Sequence, residues 1–448
     1  MAKQSFDLPL LHGEPAAVTR GVVVKAILPD DPSLQTPGID PLEEITSLAD
    51  TAGLEIVGAV MQRRRRPHAT TYLGKGKLEE VCDVVRARNA DVVLFDDPLS
   101  PGQGKNIEER TNCRVIDRVE LIMDIFATHA RSHQAKLQVE LAQLKYSSSR
   151  LKRMWTHLSR FEGGIGTRGP GETQLETDRR IIRKKIDILK SKLAAIEKQC
   201  LTQHKARADA FRVALVGYTN AGKSTLMRRL TGADVLVEDR LFSTLDTSTR
   251  QWEIPGHREV ILSDTVGFIR KLPPSLVASF HATLMEAREA DLLLHVVDGS
   301  SSHVEADMEA VQMTLEQIGC GDKKSIVLFN KIDRLPEERR IDLQYYLAQH
   351  PESIVVSAVE GTNIDGEGGV TDRVLECICD EEVTCEYELP IARADLVAQL
   401  RRYGTILDER YDEASIVVSA RLQPDQQHRF ETLLAKNGLF ELPAPSAD

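Results

Sequence analysis

The sequence predicts an α/β chain built around a P-loop domain at residues 210–380. A small α/β domain (21–130) and a long basic helical hairpin (131–209) precede it, and a small α+β domain (381–448) follows. Three observations carry this reading. Four apolar residues, Val213–Val216, run into Gly217 and then Gly222-Lys223-Ser224-Thr225, which fits strand–GxxxxGK[ST]–helix. Short apolar runs alternate with helix-period stretches from Gly21 to Ile116, the order of successive βα units. After Arg131 the apolar residues recur at alternating spacings of four and three, the period of two long paired helices.

At 448 residues the chain is too long for one core and suggests about three domains. With 42% hydrophobic and 28% charged residues it has the composition of a globular protein. No run of 18 or more apolar residues occurs, and no basic stretch followed by an apolar one opens the chain, so neither a membrane span nor a secretory signal is expected. The seven cysteines are scattered without paired CxxC spacing, which argues against a zinc centre and fits a reducing compartment. The net charge of −11 argues against DNA or a generic nucleic-acid coat, yet it is uneven. Residues 129–212 carry roughly +11 and residues 380–448 roughly −7.

In order along the chain, residues 1–20 show no periodicity and read as a loose leader. Gly21–Leu28 reads as a strand, and Asp40-Pro41-Leu42-Glu43 as a helix start with an N-cap acid and Pro at the first helical position. Strand Leu54–Met61, helix Gly76–Asn89, strand Asp91–Phe95, helix Ser100–Thr111 and strand Arg114–Ile116 follow. The arginines Arg63–Arg66 and the basic turn Tyr72–Lys77 fit a solvated loop or a phosphate contact.

Leu137, Leu141, Leu144, Ser148, Leu151, Trp155 and Leu158 form one seam, and Ile182, Ile186, Leu189, Leu193, Ile196 and Cys200 the other. Between them lies Arg160–Glu172, glycine-rich and expected to be non-helical. A hairpin needs only a few residues to turn. This long tip, with Arg160, Arg168 and Phe161 on a stalk bearing Arg179, Arg180, Arg183, Lys184 and Lys185, reads as a probe for RNA.

In the P-loop domain, glycines let the backbone of Gly217, Tyr218, Thr219, Asn220, Ala221 and Gly222 wrap a triphosphate. Lys223 would reach the β- and γ-phosphates and the Ser224 hydroxyl would bind Mg²⁺; Thr225 leads into a helix carrying Leu226, Met227 and Leu230. Asp264-Thr265-Val266-Gly267 ends the strand Val260–Leu262, its acid placed for Mg²⁺ and its glycine N–H for the γ-phosphate. Asn330-Lys331-Ile332-Asp333 ends the strand Ile326–Phe329. Its aspartate can accept from guanine N1–H and the 2-amino group, an edge that adenine lacks. Ser357-Ala358, after Ile354–Val356, would offer a backbone N–H to the guanine carbonyl. Together these stretches point to GTP and GDP as ligands, and so to a P-loop GTPase domain.

Leu241–Asp246 occupies the place of a switch segment, with Thr244 the expected second Mg²⁺ hydroxyl and Thr247 and Thr249 its rivals. Asn220 either tolerates the turn or helps to hold a K⁺ ion beside the phosphates, as in a group of GTPases it resembles. The expected catalytic set is Lys223, Thr244 and Gly267. The position after Gly267, where Ras-like enzymes carry a water-orienting Gln, is Phe268, and neither His257 nor His281 reads as a base, so slow hydrolysis by the free protein is expected. Beyond Asp380 the chain reads strand, helix (Ala392–Tyr403), strand (Thr405–Tyr411), strand (Ser415–Arg421), helix, with no motif.

These residues resemble the HflX family, ribosome-associated GTPases related to the Obg group. The likeness runs from Gly21 to Asp448 and is most specific in Tyr72–Glu79, Phe95–Pro101, Lys136–Tyr146, Gly163–Arg180, Asp264–Pro273 and Glu289–Asp298. Ser243 and Thr247 depart from the commoner Ala and Pro, and the tail beyond Cys385 matches more weakly. The resemblance implies GTP hydrolysis with Mg²⁺, binding to the large ribosomal subunit and its RNA, and separation of stalled or idle ribosomes under stress. It also implies a secondary ATPase activity in some members. The expectation is a monomer in the cytoplasm, with peripheral membrane association allowed. The competing readings are a GTPase of ribosome assembly and a signalling switch with a protein target.

Overall fold

The structure is a computed structural model that describes residues 19–29, 31, 40–154, 170–206, 210–232, 241–242, 248–254, 260–270, 285–335 and 340–439. The first unit alternates β1 (Thr19–Ile27), α1 (Glu43–Thr51), β2 (Leu54–Arg63), α2 (Lys75–Arg88), β3 (Val92–Phe95), α3 (Pro101–Thr111), β4 (Arg114–Asp117) and α4 (Arg118–His129). Its sheet has the order β2-β1-β3-β4 and every pairing is parallel. Parallel strands are covered on both faces, which is why β1 is buried without alternation from Gly21 to Ile27 and β3 throughout. β1 begins at Thr19, so the first two of its residues fall inside the stretch expected to be a loose leader.

Helix starts follow local chemistry. Ser100 caps α3 in a capping box with Gln103, with Pro101 at the first helical position. Asp40 is not the cap of α1: the helix opens three residues later, and Asp40 Oδ1 accepts from the Leu42 N–H at 2.9 Å in the turn before it.

α5 (His133–Met154) and α6 (Pro170–Ala206) pack along a seam of Leu137, Leu141, Leu144, Ile186, Leu189, Leu193 and Ile196. The expectation of a non-helical stretch through Glu172 fails at its end. Pro170–Glu172 form the first turn of α6, since a proline at the helix start loses no intrahelical bond.

The next sheet comprises β5 (Phe211–Gly217), β6 (Ser248–Trp252), β7 (Val260–Asp264), β8 (Leu292–Asp298), β9 (Ser325–Asn330) and β10 (Ile354–Val355) in the order β10-β9-β8-β5-β7-β6. All are parallel except edge strand β6, which runs antiparallel to β7. Helices α7 (Lys223–Thr231), α8 (Met285–Glu289), α9 (Val304–Gln317), α10 (Arg340–Gln349) and α11 (Val370–Glu381) connect or follow the strands. The last unit is an antiparallel sheet, β11 (Val383–Pro390), β13 (Ser415–Leu422) and β12 (Gly404–Tyr411) in spatial order, with α12 (Ala394–Tyr403) and α13 (Pro424–Lys436). Strict alternation puts Ile416, Val418, Ala420 and Leu422 of β13 against Leu396, Leu400 and Phe430.

One hydrophobic core crosses between units. Val23, Ile45, Leu48, Ile122 and Phe126 of the first unit form a single cluster with Phe242, Val266 and Ile269 of the P-loop unit. The Phe126 and Phe242 rings meet edge to face at 4.6 Å. Among the described residues no helix is long and apolar enough to cross a membrane.

Candidate functional site

The carboxyl ends of β5, β7, β9 and β10 bring the four sequence motifs to one edge of the sheet, the place where parallel α/β folds bind ligands. The loop after β5 turns tightly. Asn220 has φ 60° and Gly222 φ 96°, and a Cβ on Gly222 would lie 2.2 Å from Asn330 Nδ2, so only glycine fits. α7 then starts at Lys223, aiming its N-terminus at the loop.

Lys223 is buried and donates from Nζ to the carbonyls of Gly217 (3.0 Å) and Tyr218 (2.8 Å). Burial brings its pKa down to about 8, with Asp264 raising it and Lys331 lowering it further. Ser224 Oγ donates to Asp264 Oδ2 at 2.6 Å, and both residues are buried. Thr265 Oγ1 donates to the Leu215 carbonyl at 2.7 Å, fixing the end of β7 on β5. The structure thus sets a hydroxyl beside a carboxylate next to a buried ammonium. Hard oxygen donors of this kind suit Mg²⁺, which uses one or two carboxylates and takes its other ligands from phosphate and water.

Asn330 ties three loops together. Its Nδ2 donates to the Ala221 carbonyl at 2.8 Å, and its Oδ1 accepts from the Ala358 N–H at 3.0 Å. The Ala358 N–H expected to face a base is therefore directed at Asn330 in this structure. Asp333 Oδ1 accepts from Ser357 Oγ at 2.6 Å, and Lys331 Nζ pairs with Asp298 at 2.9 Å.

Val266, Gly267 and Phe268 follow Asp264 across the mouth of the P-loop. Phe268 is 2% exposed and packs with Ala214, Val216, Leu293 and Val311, so its side chain is turned into the core. Thr244, Thr247, His257, His281, Arg160 and Arg168 lie outside the described residues. Thr249 sits in β6 opposite Ser263, with its hydroxyl 3.2 Å from Ser263 Oγ. On α6 Arg179 is half-buried and Arg180, Arg183, Lys184 and Lys185 are exposed. In the basic loop of the first unit, Arg64 donates to the Arg66 carbonyl at 3.0 Å.

Sequence reasoning missed a buried ionic network behind the P-loop. Tyr218 donates its hydroxyl to Glu44 Oε1 and accepts from the N–H (3.1 Å) and Nε (3.3 Å) of Arg270. Arg118 pairs with Glu44 at 2.8 Å and Asp96 at 2.7 Å, and donates to the Arg270 carbonyl at 3.0 Å. Burial by itself would raise the Glu44 carboxyl. Arg118, Arg270 and the Tyr218 hydroxyl reverse that, holding it below the usual glutamate value. Burial and then Glu44 push the Tyr218 phenol well up, so it stays a donor. The available signal was a charge inside an apolar run, Arg118 between Ile116 and Val119, but nothing local named its partner.

Comparison with known proteins places the chain. Family models match at residues 40–127 (GTP-binding GTPase N-terminal), 129–207 (GTP-binding GTPase Middle Region) and 212–331 (50S ribosome-binding GTPase). GTPase HflX of Escherichia coli strain K12 is 48% identical over 333 residues, 74% of this chain and 78% of that protein. The chain belongs to the HflX family. Two further HflX GTPases, from Lacrimispora saccharolytica and Akkermansia muciniphila, are 42% and 39% identical. They cover 85% and 95% of this chain, and 88% and 99% of their own lengths. A crystal structure of a GTP-binding protein from Sulfolobus solfataricus with GDP aligns over 80% of this chain and 98% of that one, at 24% identity and a TM-score of 0.41. As an HflX protein with this P-loop domain, the chain is a GTP-binding and GTP-hydrolysing enzyme.

Proposed function

We propose that this HflX GTPase acts on the large ribosomal subunit and separates stalled or idle ribosomes under stress, as a cytoplasmic monomer. The observation that carries the reading is the pairing of a domain matched by the model for 50S ribosome-binding GTPases with a hairpin whose α6 exposes Arg180, Arg183, Lys184 and Lys185. Such a cluster of exposed cations attracts a phosphate backbone and releases its counterions. Arg160, Arg168 and Arg179 are assigned to the same RNA contact.

In the nucleotide site we assign Gly217–Thr225 to the phosphates and Asp264–Gly267 to the γ-phosphate end. Asn330, Lys331, Asp333, Ser357 and Ala358 are assigned to the guanine. Ser224, Thr244 and Asp264 would hold Mg²⁺, which would offset charge on the phosphate oxygens. Lys223 then contributes a fixed cation at the β- and γ-phosphates, and phosphate would draw its lowered pKa back up. The Gly267 N–H meets developing charge on the γ-phosphoryl oxygens. Phe268 gives no hydrogen bond to water, so ribosome contact supplies the missing alignment. The αL backbone of Asn220 explains an Asn there without an ion; a faster rate in K⁺ than in Na⁺ at equal ionic strength would assign it to K⁺.

Sedimentation of ribosomes with the protein and a GTP analogue tests the reading. Intact ribosomes should fall to subunits, binding should weaken steeply with salt, and deletion of residues 163–171 should abolish splitting but leave GTP binding intact. Normal splitting by the deletion variant would exclude the hairpin tip from the action.

A further inference from the structure

The turn that follows β7 lies tight against the phosphate loop. The Phe268 N–H donates to the Gly217 carbonyl at 3.1 Å, and the Thr219 N–H donates to the Phe268 carbonyl at 2.8 Å. A Cβ placed on Gly267 would be 2.8 Å from Thr219 Cα and 3.1 Å from Lys223 Nζ. A phosphoryl group gripped by both the Gly267 N–H and the Lys223 ammonium has to sit between them. In this position the turn occupies that space, so it must retreat to admit a third phosphate.

Besides these bonds and the burial of Phe268 within the P-loop unit, the turn is held from the first unit as well. Arg270, three residues after Gly267, is held at its N–H and Nε by the Tyr218 hydroxyl and at its carbonyl by Arg118. Its Nε also lies 3.5 Å from Glu44 and 3.7 Å from Asp307, and its guanidinium carbon is 5.9 Å from the centre of the Tyr218 ring. Glu44 stands in α1 and Arg118 opens α4, both in the first unit. Val266 and Ile269 bury their side chains in that unit's core. The turn is thus bolted to the N-terminal domain by two apolar side chains and an ion network.

We propose that Glu44 and Arg118 set the discrimination between GTP and GDP, by latching the Asp264–Arg270 turn in the position that leaves room for two phosphates but not three. The latch rests on the assignment of the phosphate site above. It acts through Tyr218, whose carbonyl holds Lys223 while its hydroxyl holds Arg270 and Glu44. Linkage makes the effect reciprocal: GTP weakens the N-terminal domain's hold on the turn, and a partner that draws this domain away raises affinity for GTP by the same factor.

The test uses the full chain and two single variants, Glu44→Gln, which keeps the side-chain shape, and Arg118→Lys, which keeps the charge but cannot reach Glu44, Asp96 and the Arg270 carbonyl together. Fluorescent GDP and a non-hydrolysable GTP analogue are titrated separately in Mg²⁺. Each variant should raise the ratio of analogue to GDP affinity at least about fivefold, with GDP affinity within about twofold of the parent. The double variant should show the same ratio as the singles, because both cut one linkage. An unchanged ratio, an equal change for both nucleotides, or fully additive singles overturns the latch. If the parent chain binds neither nucleotide, the phosphate-site assignment itself fails and the latch falls with it.

Discussion

Ser224 Oγ and Asp264 Oδ2 lie 2.6 Å apart, joining the first turn of α7 to the end of β7. A hydroxyl donor to a buried carboxylate is a good place-holder for a cation, since the same two oxygens turn to a metal at little structural cost. Ser224→Ala should lower GTP affinity in Mg²⁺ at least about tenfold, about 1.4 kcal/mol. The gap between affinities measured in Mg²⁺ and in EDTA should close with it. Retention of the full gap would remove Ser224 from the metal site.

Base choice rests on Asp333, whose carboxylate is steadied by the Ser357 hydroxyl at 2.6 Å. Asp333→Asn replaces one acceptor by an amide donor and leaves the guanine 2-amino group facing another donor. Binding of GTP should fall at least about a hundredfold, and xanthosine triphosphate, with a carbonyl at that position, should bind more tightly than GTP. Competition binding with the two nucleotides reads this directly.

The buried ring of Phe268 separates stability from chemistry. Phe268→Ala opens a cavity and should lower stability by about 3–5 kcal/mol. Per folded molecule it should cost far less hydrolysis than Lys223→Ala, which removes the phosphate-site ammonium. Large ribosomal subunits should raise turnover of the parent at least about tenfold, about 1.4 kcal/mol off the barrier. Rapid hydrolysis by the isolated chain, indifferent to ribosomes, would contradict this division of labour.

Asp124 of α4 gives a pH signature. Burial, reinforced by Glu120, raises its pKa from 3.8 to about 7, against the opposing pull of Arg114. Between those values the folded chain keeps a proton that the unfolded chain has lost, so this group's contribution to stability falls as pH rises towards 7. Asp124→Asn stays neutral and escapes the loss. It should be more stable than the parent by roughly 2–4 kcal/mol at pH 8 and near parity at pH 4, read by denaturant titration at both.

The nucleotide motifs are legible because each is local: a glycine spacing, an acid or an amide directly behind a short apolar strand. α4 was not, because Val119, Leu121, Ile122, Met123, Ile125 and Phe126 are buried almost all round and leave no 3.6-residue stripe. β6 hid for the opposite reason, an edge strand in which Trp252 alone is buried. The seams of α5 and α6 were plain from period, while the helical state of Pro170–Glu172 was obscured by their glycine-rich surroundings. The Glu44–Arg118–Tyr218–Arg270 network joins residues from two units, and no spacing rule reaches that far.

The ring contact between Phe126 and Phe242 also bears on how the chain is made. More than a hundred residues separate the two in order of synthesis, which at about 5–20 residues per second is a delay of roughly 6–25 s. Through that interval the nascent N-terminal domain has its sheet complete but lacks Phe242, Val266 and Ile269, and its side of the shared core is open to solvent. A birth intermediate with an uncovered apolar face is what holding chaperones bind. Arrested chains ending near residue 210 should therefore be sticky, and the released full chain should not.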